Sequence, residues 1–349
     1  MRPATYEDWP AFVRSRPLVT GDAWTTRVAS LLGVPQPLGV PAPRVVASSE
    51  ADGLRTSELA WSVGFGPDLH AWLVHPIDAD PGDLPGVLAL HSHAGIKSIG
   101  GKRLLAVPEA AAYQAAFEDG IAFANNVAAR GVAVLAPDAF SWGSRRFDLS
   151  EPSGQLADLA KLLDGAGVSG ADRYDELAKL HEHLVAKRAG AMGTSYAGMI
   201  AHDDLTSLAV LRSLVAGPIG VTGFSGGGGR ALTLSALEPV DKVAVVAMMA
   251  TYESLIPDYL DGHSWLLHTP GVGRVLGLPE LAAGRRTHAL QVAYCEQDTL
   301  FSLAGMEAAD EALTRLFSGA TGSYRGIFVP TPHAVTREIH ALVADFLTA

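Results

Sequence analysis

The residues best placed for chemistry begin with Ser225, which lies in Gly223-Phe-Ser-Gly-Gly227 after a β-type run that starts at Ile219. A G-x-S-x-G sequence places its serine on a tight strand-to-helix turn that holds the hydroxyl clear of the backbone. Glycine at 223 and 227 lets the helix cross the strand, and Gly226 lets a backbone N–H approach a reacting oxygen. The pattern predicts a nucleophilic serine.

Two other structures fit the same glycines. One is an ordinary turn between a strand and a glycine-rich helix start, and the other is a dinucleotide-binding loop, because Thr222-Gly223 precedes further glycines. Such a loop normally opens a chain, and neither Tyr252 nor Tyr259 has the lysine four residues later that would complete a Tyr/Lys pair. A phosphate-binding P-loop is excluded because no Lys-Ser or Lys-Thr follows the glycines.

An acid and a histidine follow Ser225 in the order that a serine nucleophile needs. The buried-type run Ala289–Cys295 leads into Glu296-Gln-Asp298, so both acids fall at the end of a predicted strand. Asp298 is the predicted orienting acid and Glu296 the alternative. A second β-rich run, 323–330, is followed by His333, which is the predicted base. Alone, an aspartate there is most often a helix cap and a histidine is most often solvated, but the joint order predicts a triad.

A serine that attacks a carbonyl group also needs N–H donors for the negatively charged oxygen, the oxyanion, that develops there. The sequence predicts a pair of such donors. The apolar run Gly86–Leu90 ends in His91-Ser-His-Ala-Gly95, the position from which such a loop supplies its donor. The N–H of Gly226 is the expected first donor and that of His93 the second, with Ala94 as the alternative to His93. The competing interpretation is a polar turn with surface histidines.

Composition limits the other classes of function. The chain has 349 residues, 48% hydrophobic and 18% charged, which is ample for one large core, and its net charge is −11. This charge argues against nucleic acid or an anionic membrane as partner, and Arg145-Arg146 is interpreted as surface charge. No cofactor and no metal site are expected, and His181 and His183, two apart on a helix, face different directions.

The remaining chain-wide signals concern location. The first residues contain acids and no apolar secretory core, and no run is long enough to span a bilayer, so a cytoplasmic protein is expected.

The lone Cys295 is interpreted as a small apolar strand residue. The expected partner is a small-molecule ester, and the sequence gives no sign of an oligomeric state.

The elements needed to position these residues alternate between strand and helix, which favours a single α/β domain at residues 51–349 after an N-terminal arm at 1–50. About eight strands are predicted, mostly parallel: a hairpin of Arg55–Val63 with Asp68–Pro76, then strands beginning at Gly86, Val132, Ile219, Val243, Ala289 and Ser323. Crossover helices are predicted at about 112–129, 203–215, 227–237, 305–317 and 333–347.

Two segments are additional to these predicted strands and crossover helices, and they are expected to determine substrate specificity. The longer, about 140–201, contains two helical stretches, 154–163 and 172–188, and is a candidate helical cap. The shorter covers about 251–286. Trp142 and Trp265 lie one in each and are tentative substrate-binding residues, with packing of the lid as the alternative.

With these motifs in place, the chain resembles an α/β-hydrolase, and within that superfamily the bacterial dienelactone-hydrolase-like and acetyl-xylan-esterase-like enzymes. The resemblance covers most of the chain after Arg55. It rests on the elbow around Ser225 together with the segments 91–97, 138–145, 203–208 and 294–301. It implies an α/β-hydrolase fold and a serine carboxylic ester hydrolase in which Ser225, Asp298 and His333 form the triad.

Two departures refine this expectation. Dienelactone hydrolases carry cysteine at the elbow where this chain has Ser225, and xylan deacetylation takes place outside the cell, so a small intracellular ester is the expected substrate. The same triad would also suit a thioesterase, lactonase or peptidase. A non-catalytic ligand-binding protein of this fold is the alternative outside enzymes.

Overall fold

The central strands form because the chain contains short runs of valine, alanine and leucine, long enough to cross a sheet but short for a core helix. The computed structural model describes residues 8–16, 23–259 and 262–349. Residues of the predicted arm and second insertion at 1–7, 17–22 and 260–261 lie outside this description. The strands of the described residues are β1 (Arg44–Ala51), β2 (Leu54–Trp61), β3 (Leu69–Pro76), β4 (Gly86–Leu90), β5 (Ala133–Pro137), β6 (Ile219–Phe224), β7 (Lys242–Val246), β8 (Ala289–Cys295) and β9 (Ser323–Val329).

These nine strands form one sheet in the order β1-β2-β3-β5-β4-β6-β7-β8-β9. The first three are antiparallel neighbours and β3 is antiparallel to β5, while all pairs from β5 to β9 are parallel. The predicted hairpin and the six later strands are confirmed. Parallel order brings the carboxyl ends of β4, β6, β8 and β9 to one edge, where the predicted site residues follow.

Strand β1 is not predicted from the sequence, where its residues fall almost entirely in the expected arm. Every residue of β1 is exposed, so the strand lacks the alternation of apolar and polar residues that marks a half-buried strand. It forms because β2 offers a free edge, and its pairing shifts register between Val45 and Ala47. The sheet therefore has one more strand than predicted.

Helices cover both faces of the sheet. Among the described residues they are α1 (Trp9–Ser15), α2 (Trp24–Leu32), α3 (Ala111–Phe117), α4 (Phe123–Ala128), α5 (Gln155–Gly165), α6 (Gly170–Ala191), α7 (Tyr196–Leu214), α8 (Gly226–Leu237), α9 (Tyr252–Asp258), α10 (Val272–Val275), α11 (Leu278–Ala283), α12 (Leu303–Phe317) and α13 (Arg337–Thr348). Short 3₁₀ helices lie at 81–83, 101–104, 108–110 and 143–145.

Three helix predictions need correction. The single helix expected at 112–129 is broken into α3 and α4, because Asp119 and Gly120 adopt left-handed backbone with φ of 53° and 73°. Helix α7 begins at 196 rather than 203, where Ser195 caps it by accepting the Gly198 N–H at 2.9 Å. Helix α13 begins after Thr336 rather than at His333, so His333 lies in the loop between β9 and α13.

Two buried layers result, one on each face of the sheet. Alternate residues of β4 divide between them, Leu88 and Leu90 entering the larger layer and Val87 and Ala89 the smaller. The larger contains α1, whose Trp9 ring lies edge-on at 5.8 Å from Phe140. Helices α1 and α2 of the predicted arm thus pack on the core, whereas its residues in β1 are exposed. No helix of the described residues has the length and apolar character needed to cross a membrane.

Candidate active site

Ser225 stands between β6 and α8 with φ 54° and ψ −125°. A serine with positive φ is a strained conformation, which persists only where the surroundings impose it. Its N–H donates to Val246 O of the neighbouring strand at 2.8 Å, which fixes the turn against β7. The predicted strand-turn-helix around this serine is present.

The glycines beside Ser225 are required by close approach of backbone. A Cβ on Gly227 would lie 2.0 Å from Leu90 O, and one on Gly223 would lie 2.2 Å from the Gly227 carbonyl carbon. A Cβ on Gly226 would lie 2.9 Å from the His93 backbone nitrogen. The first turn of α8 therefore lies directly against the loop that follows β4.

Asp298 and His333 meet at the ends of the adjacent strands β8 and β9. His333 Nδ1 lies 2.6 Å from Asp298 Oδ2, and the Asp298 carboxylate is fully buried. Its other oxygen accepts the Leu300 N–H at 2.8 Å. The His333 ring lies 4.8 Å from the ring of Phe224, which immediately precedes Ser225. The structure thus brings this pair to the elbow.

Glu296, the alternative acid, is only partly buried. Its backbone N–H donates to Val329 O, which continues the pairing of β8 with β9. No hydrogen bond between its side chain and His333 occurs among the described residues. The geometry therefore favours Asp298 as the partner of His333.

The loop after β4 is held by buried guanidinium groups. Arg230 of α8 donates to His91 O at 3.1 Å, and Arg103 donates to Ser92 O at 2.9 Å and to the carbonyls of Ile96 and Ile99. These bonds occupy four carbonyl groups of the loop. The N–H of His93 donates to no acceptor in the part of the chain that the structure describes, and the His93 nitrogen lies close to Gly226.

His91 is buried, which corrects the alternative of two surface histidines. Its Nδ1 lies 2.9 Å from Ser92 O. Burial, with Arg230 and Arg103 nearby, holds the pKa of His91 well below its ordinary value. His91 is therefore a neutral structural residue of the loop.

Two buried ion pairs join α7 to this site. Arg230 contacts Asp204 through two hydrogen bonds of 2.6 and 3.0 Å, and Arg145 contacts the adjacent Asp203 at 2.9 Å. Arg145 is fully buried, so its interpretation as surface charge is wrong. Both carboxylates come from the Asp203-Asp204 pair that contributed to the family resemblance, and they fix α7, α8 and the loop after β5 to one another.

Comparison with known proteins adds to this geometry. No protein-family model and no curated protein sequence matches the chain. A presumed acetyl xylan esterase from Bacteroides fragilis superposes with a TM-score of 0.64 at 14% identity, covering 93% of this chain and 75% of that one. A methylesterase superposes with a TM-score of 0.55 at 15% identity, covering 99% and 68%. A glucuronoyl esterase from Solibacter usitatus has a TM-score of 0.55 at 10% identity, covering 97% and 90%.

The chain has the α/β-hydrolase fold. Its strand order and the turn after β6 agree with the fold class predicted from the sequence. The long connection between β5 and β6 and the shorter one between β7 and β8 carry the helices that are additional to the sheet and its crossovers.

The two tryptophans of these connections take different places in the α/β-hydrolase fold. Trp142 is 2% exposed, and its ring lies edge-on at 5.1 Å from His93. Trp265 is partly buried, and its indole N–H donates to His183 at 2.8 Å. Trp142 thus lies against the loop after β4 and Trp265 against helix α6, and their contact with substrate stays a prediction.

Sequence reasoning missed Glu182 and Lys97. Glu182 of α6 is 5% exposed, and its Oε2 lies 2.8 Å from His93 Nε2 and 2.5 Å from Lys97 Nζ. The available signal was indirect: Glu182 lies between two histidines on a predicted cap helix, and Lys97 lies in the loop segment that carried the resemblance. Neither position has a motif of its own.

A groove of about 630 Å³ opens beyond the loop, between residues 98–100, residues 143–150 and α6. Its walls include Trp72, Tyr174 and Arg146, and none of Ser225, Asp298 and His333 lines it. Among the described residues no group of three or more His, Cys, Asp or Glu side chains suits a metal ion. Burial raises the pKa of the Cys295 thiol to about 12, consistent with an inert apolar residue.

Proposed function

We propose that this chain is a serine carboxylic ester hydrolase in which Ser225 is the nucleophile, His333 the general base and Asp298 the orienting acid. The observation that carries the proposal is the 2.6 Å contact between His333 Nδ1 and Asp298, next to a strained serine turn. A carboxylate on Nδ1 keeps the proton there and leaves Nε2 free to accept one. The esterase neighbours share this fold, and their activities support the same reaction class.

In the proposed reaction, Ser225 Oγ attacks the carbonyl carbon of the ester while His333 Nε2 takes the hydroxyl proton. The N–H groups of Gly226 and His93 donate to the oxyanion that forms. As the tetrahedral intermediate collapses, His333 returns the proton to the leaving alcohol. Water then loses a proton to His333 and attacks the acyl-enzyme, and the acid leaves as Ser225 regains its proton.

The donor pair is proposed because the His93 nitrogen lies close to Gly226 and donates to no described acceptor. Donors held in place before reaction stabilise charge that appears only in the transition state, and losing one costs about 100- to 1,000-fold in turnover. No cofactor takes part in this scheme. The small ester substrate and the cytoplasmic location expected from the sequence remain predictions.

The test combines a fluorophosphonate probe with hydrolysis of p-nitrophenyl acetate, using the wild type, Ser225→Ala and His333→Ala. Wild type is expected to label at one serine and to turn over, while both variants lose at least 1,000-fold in kcat with unchanged thermal unfolding. Wild-type protein that neither labels nor hydrolyses the ester, or a Ser225→Ala variant that retains activity, would overturn the proposal.

A further inference from the structure

Glu182 joins three separate segments that surround the candidate active site. Its Oε2 accepts hydrogen bonds from His93 Nε2 at 2.8 Å and Lys97 Nζ at 2.5 Å, and its Oε1 accepts the backbone N–H of Trp265 at 3.0 Å. The side chain comes from α6 of the cap, His93 and Lys97 from the loop after β4, and Trp265 from the connection between β7 and β8. One buried carboxylate thus holds the two insertions to the loop.

The ionised form of Glu182 fits these contacts, because all three partners are donors. Burial opposes that form, but His93 and the Lys97 ammonium hold the pKa of Glu182 well below its ordinary value. Lys97 is itself 1% exposed and also donates to Ser141 Oγ at 3.0 Å and Tyr196 Oη at 2.5 Å. The carboxylate therefore balances a charge that has no access to water.

The contact with His93 leads directly to the proposed oxyanion donor. Gly95 N–H donates to His93 Nδ1 at 3.0 Å, so Nδ1 is an acceptor and the ring proton is on Nε2, where it donates to Glu182. The ring is thereby held at both nitrogens. The backbone nitrogen of the same residue lies against Gly226, and a Cβ there would be 2.9 Å away.

We infer that Glu182 is a positioning residue, which fixes the His93 side chain and with it the backbone N–H that the proposed function assigns to the oxyanion. The inference rests on that proposed function. It follows that the packing of cap helix α6 against the loop after β4 and the geometry of the oxyanion donors depend on the same carboxylate. A cap displaced from the loop would leave the His93 ring without its Nε2 acceptor.

Glu182→Gln tests this link because it keeps the size of the side chain. The amide nitrogen of glutamine is a donor, and in one orientation it would lie against the donors of His93 and Lys97. In the opposite orientation it would lie against the backbone N–H of Trp265, so either orientation places two donors together. We expect kcat for p-nitrophenyl acetate to fall about 10- to 100-fold with KM within about twofold, since small misplacements of reacting groups cost about this much. Glu182→Asp keeps the charge and should recover part of the loss.

The matched control is Glu176→Gln on the same helix, whose carboxylate is exposed and pairs with Lys179. It should leave kcat unchanged. Complete labelling by a fluorophosphonate at long times counts the folded sites, so kcat is expressed per labelled serine. A purely structural role would lower the number of labelled sites, whereas a positioning role lowers the rate at each.

His93→Ala removes the ring and keeps the backbone N–H, and it decides the matter if Glu182→Gln does not fold. We expect a similar loss of kcat per site, and no further loss when the two changes are combined, because they break the same link. Wild-type rates in Glu182→Gln or in His93→Ala, or losses that multiply in the double variant, would overturn the inference while leaving the proposed function intact. Inactive wild-type protein would remove both.

Discussion

Asp298 and Glu296 lie two residues apart after β8, yet among the described residues only the Asp298 carboxylate contacts His333. Asp298 is buried, with one oxygen on His333 and the other on the Leu300 N–H. Both oxygens thus have donors that also orient the carboxylate plane. In the proposed reaction, a carboxylate held in this way would support one tautomer of His333 and the charged form of its ring.

We therefore expect Asp298→Asn to lower kcat by about 10,000-fold, because an amide beside Nδ1 favours the tautomer that protonates Nε2. Steady-state kinetics with p-nitrophenyl acetate measure the loss, and thermal unfolding shows whether the protein remains folded. Glu296→Gln is the matched control and should stay within about threefold of wild type. A larger loss in Glu296→Gln than in Asp298→Asn would reverse the assignment of the acid.

At the residue scale, site residues could be predicted from the sequence where each directly follows a strand. Ser225, Asp298 and His333 each follow a strand in the expected order, which needs no knowledge of long-range contacts. Glu182 and Lys97 are 85 positions apart and meet only when the cap packs on the loop. Arg145 was misinterpreted as surface charge because its partner Asp203 comes from a distant helix.

At the element scale, Arg230 connects three pieces of the fold. From α8 it contacts Asp204 of α7 and donates to His91 O in the loop after β4. The guanidinium and carboxylate are 3% and 2% exposed. Burial raises the pKa of Asp204 even though Arg230 opposes the shift, so the carboxylate depends on this partner for its charge.

Arg230→Met should destabilise the protein by about 3–5 kcal/mol, because it leaves Asp204 buried without a counter-charge. Urea unfolding at neutral pH measures the change. The control is Arg212→Met, since Arg212 pairs with Glu238 at the surface with side chains 36% and 40% exposed. That pair should contribute less than about 1 kcal/mol. Equal effects of the two substitutions would contradict a structural role for Arg230.

Elements were predictable from sequence to the extent that burial imposes a pattern. The parallel strands β4 to β8 are short, mostly apolar and buried, and they were all predicted, whereas the fully exposed β1 carries no such signal. The break between α3 and α4 depends on two left-handed residues, Asp119 and Gly120, in a segment whose apolar spacing otherwise suits one helix. Helix starts were displaced where a capping serine or threonine, rather than hydrophobic periodicity, sets the first turn.

At the scale of the whole molecule, Glu118 connects regions on the smaller buried face. Its Oε1 accepts from Tyr113 Oη at 3.2 Å, and Tyr113 Oη shares a 2.7 Å hydrogen bond with Ser92 in the loop after β4. Its backbone oxygen lies 3.1 Å from His340 Nε2 of α13. The second carboxylate oxygen has no hydrogen-bond partner among the described residues and lies 3.7 Å from His340 Nε2. With Thr222, Glu118 borders a cavity of about 10 Å³.

This environment predicts a specific dependence of stability on pH. Burial raises the pKa of Glu118 to about 8 from the value of 4.5 expected when it is exposed. Between these values the folded protein keeps a proton that the unfolded chain has lost, so stability decreases as the pH rises. The contribution is intact below pH 4.5 and lost above pH 8, and it is on the order of 5 kcal/mol.

Glu118→Gln resembles the protonated acid at every pH and should remove this dependence. Urea unfolding from pH 5 to pH 9 should therefore show the variant gaining stability relative to wild type as the pH rises. His181 and His288, whose pKa values burial lowers to about 4 and which do not contact Glu118, act in the opposite direction below pH 6.5. They are common to both proteins and cancel in the difference. A difference in unfolding free energy that stays constant across this range would show that Glu118 is already ionised in the folded protein.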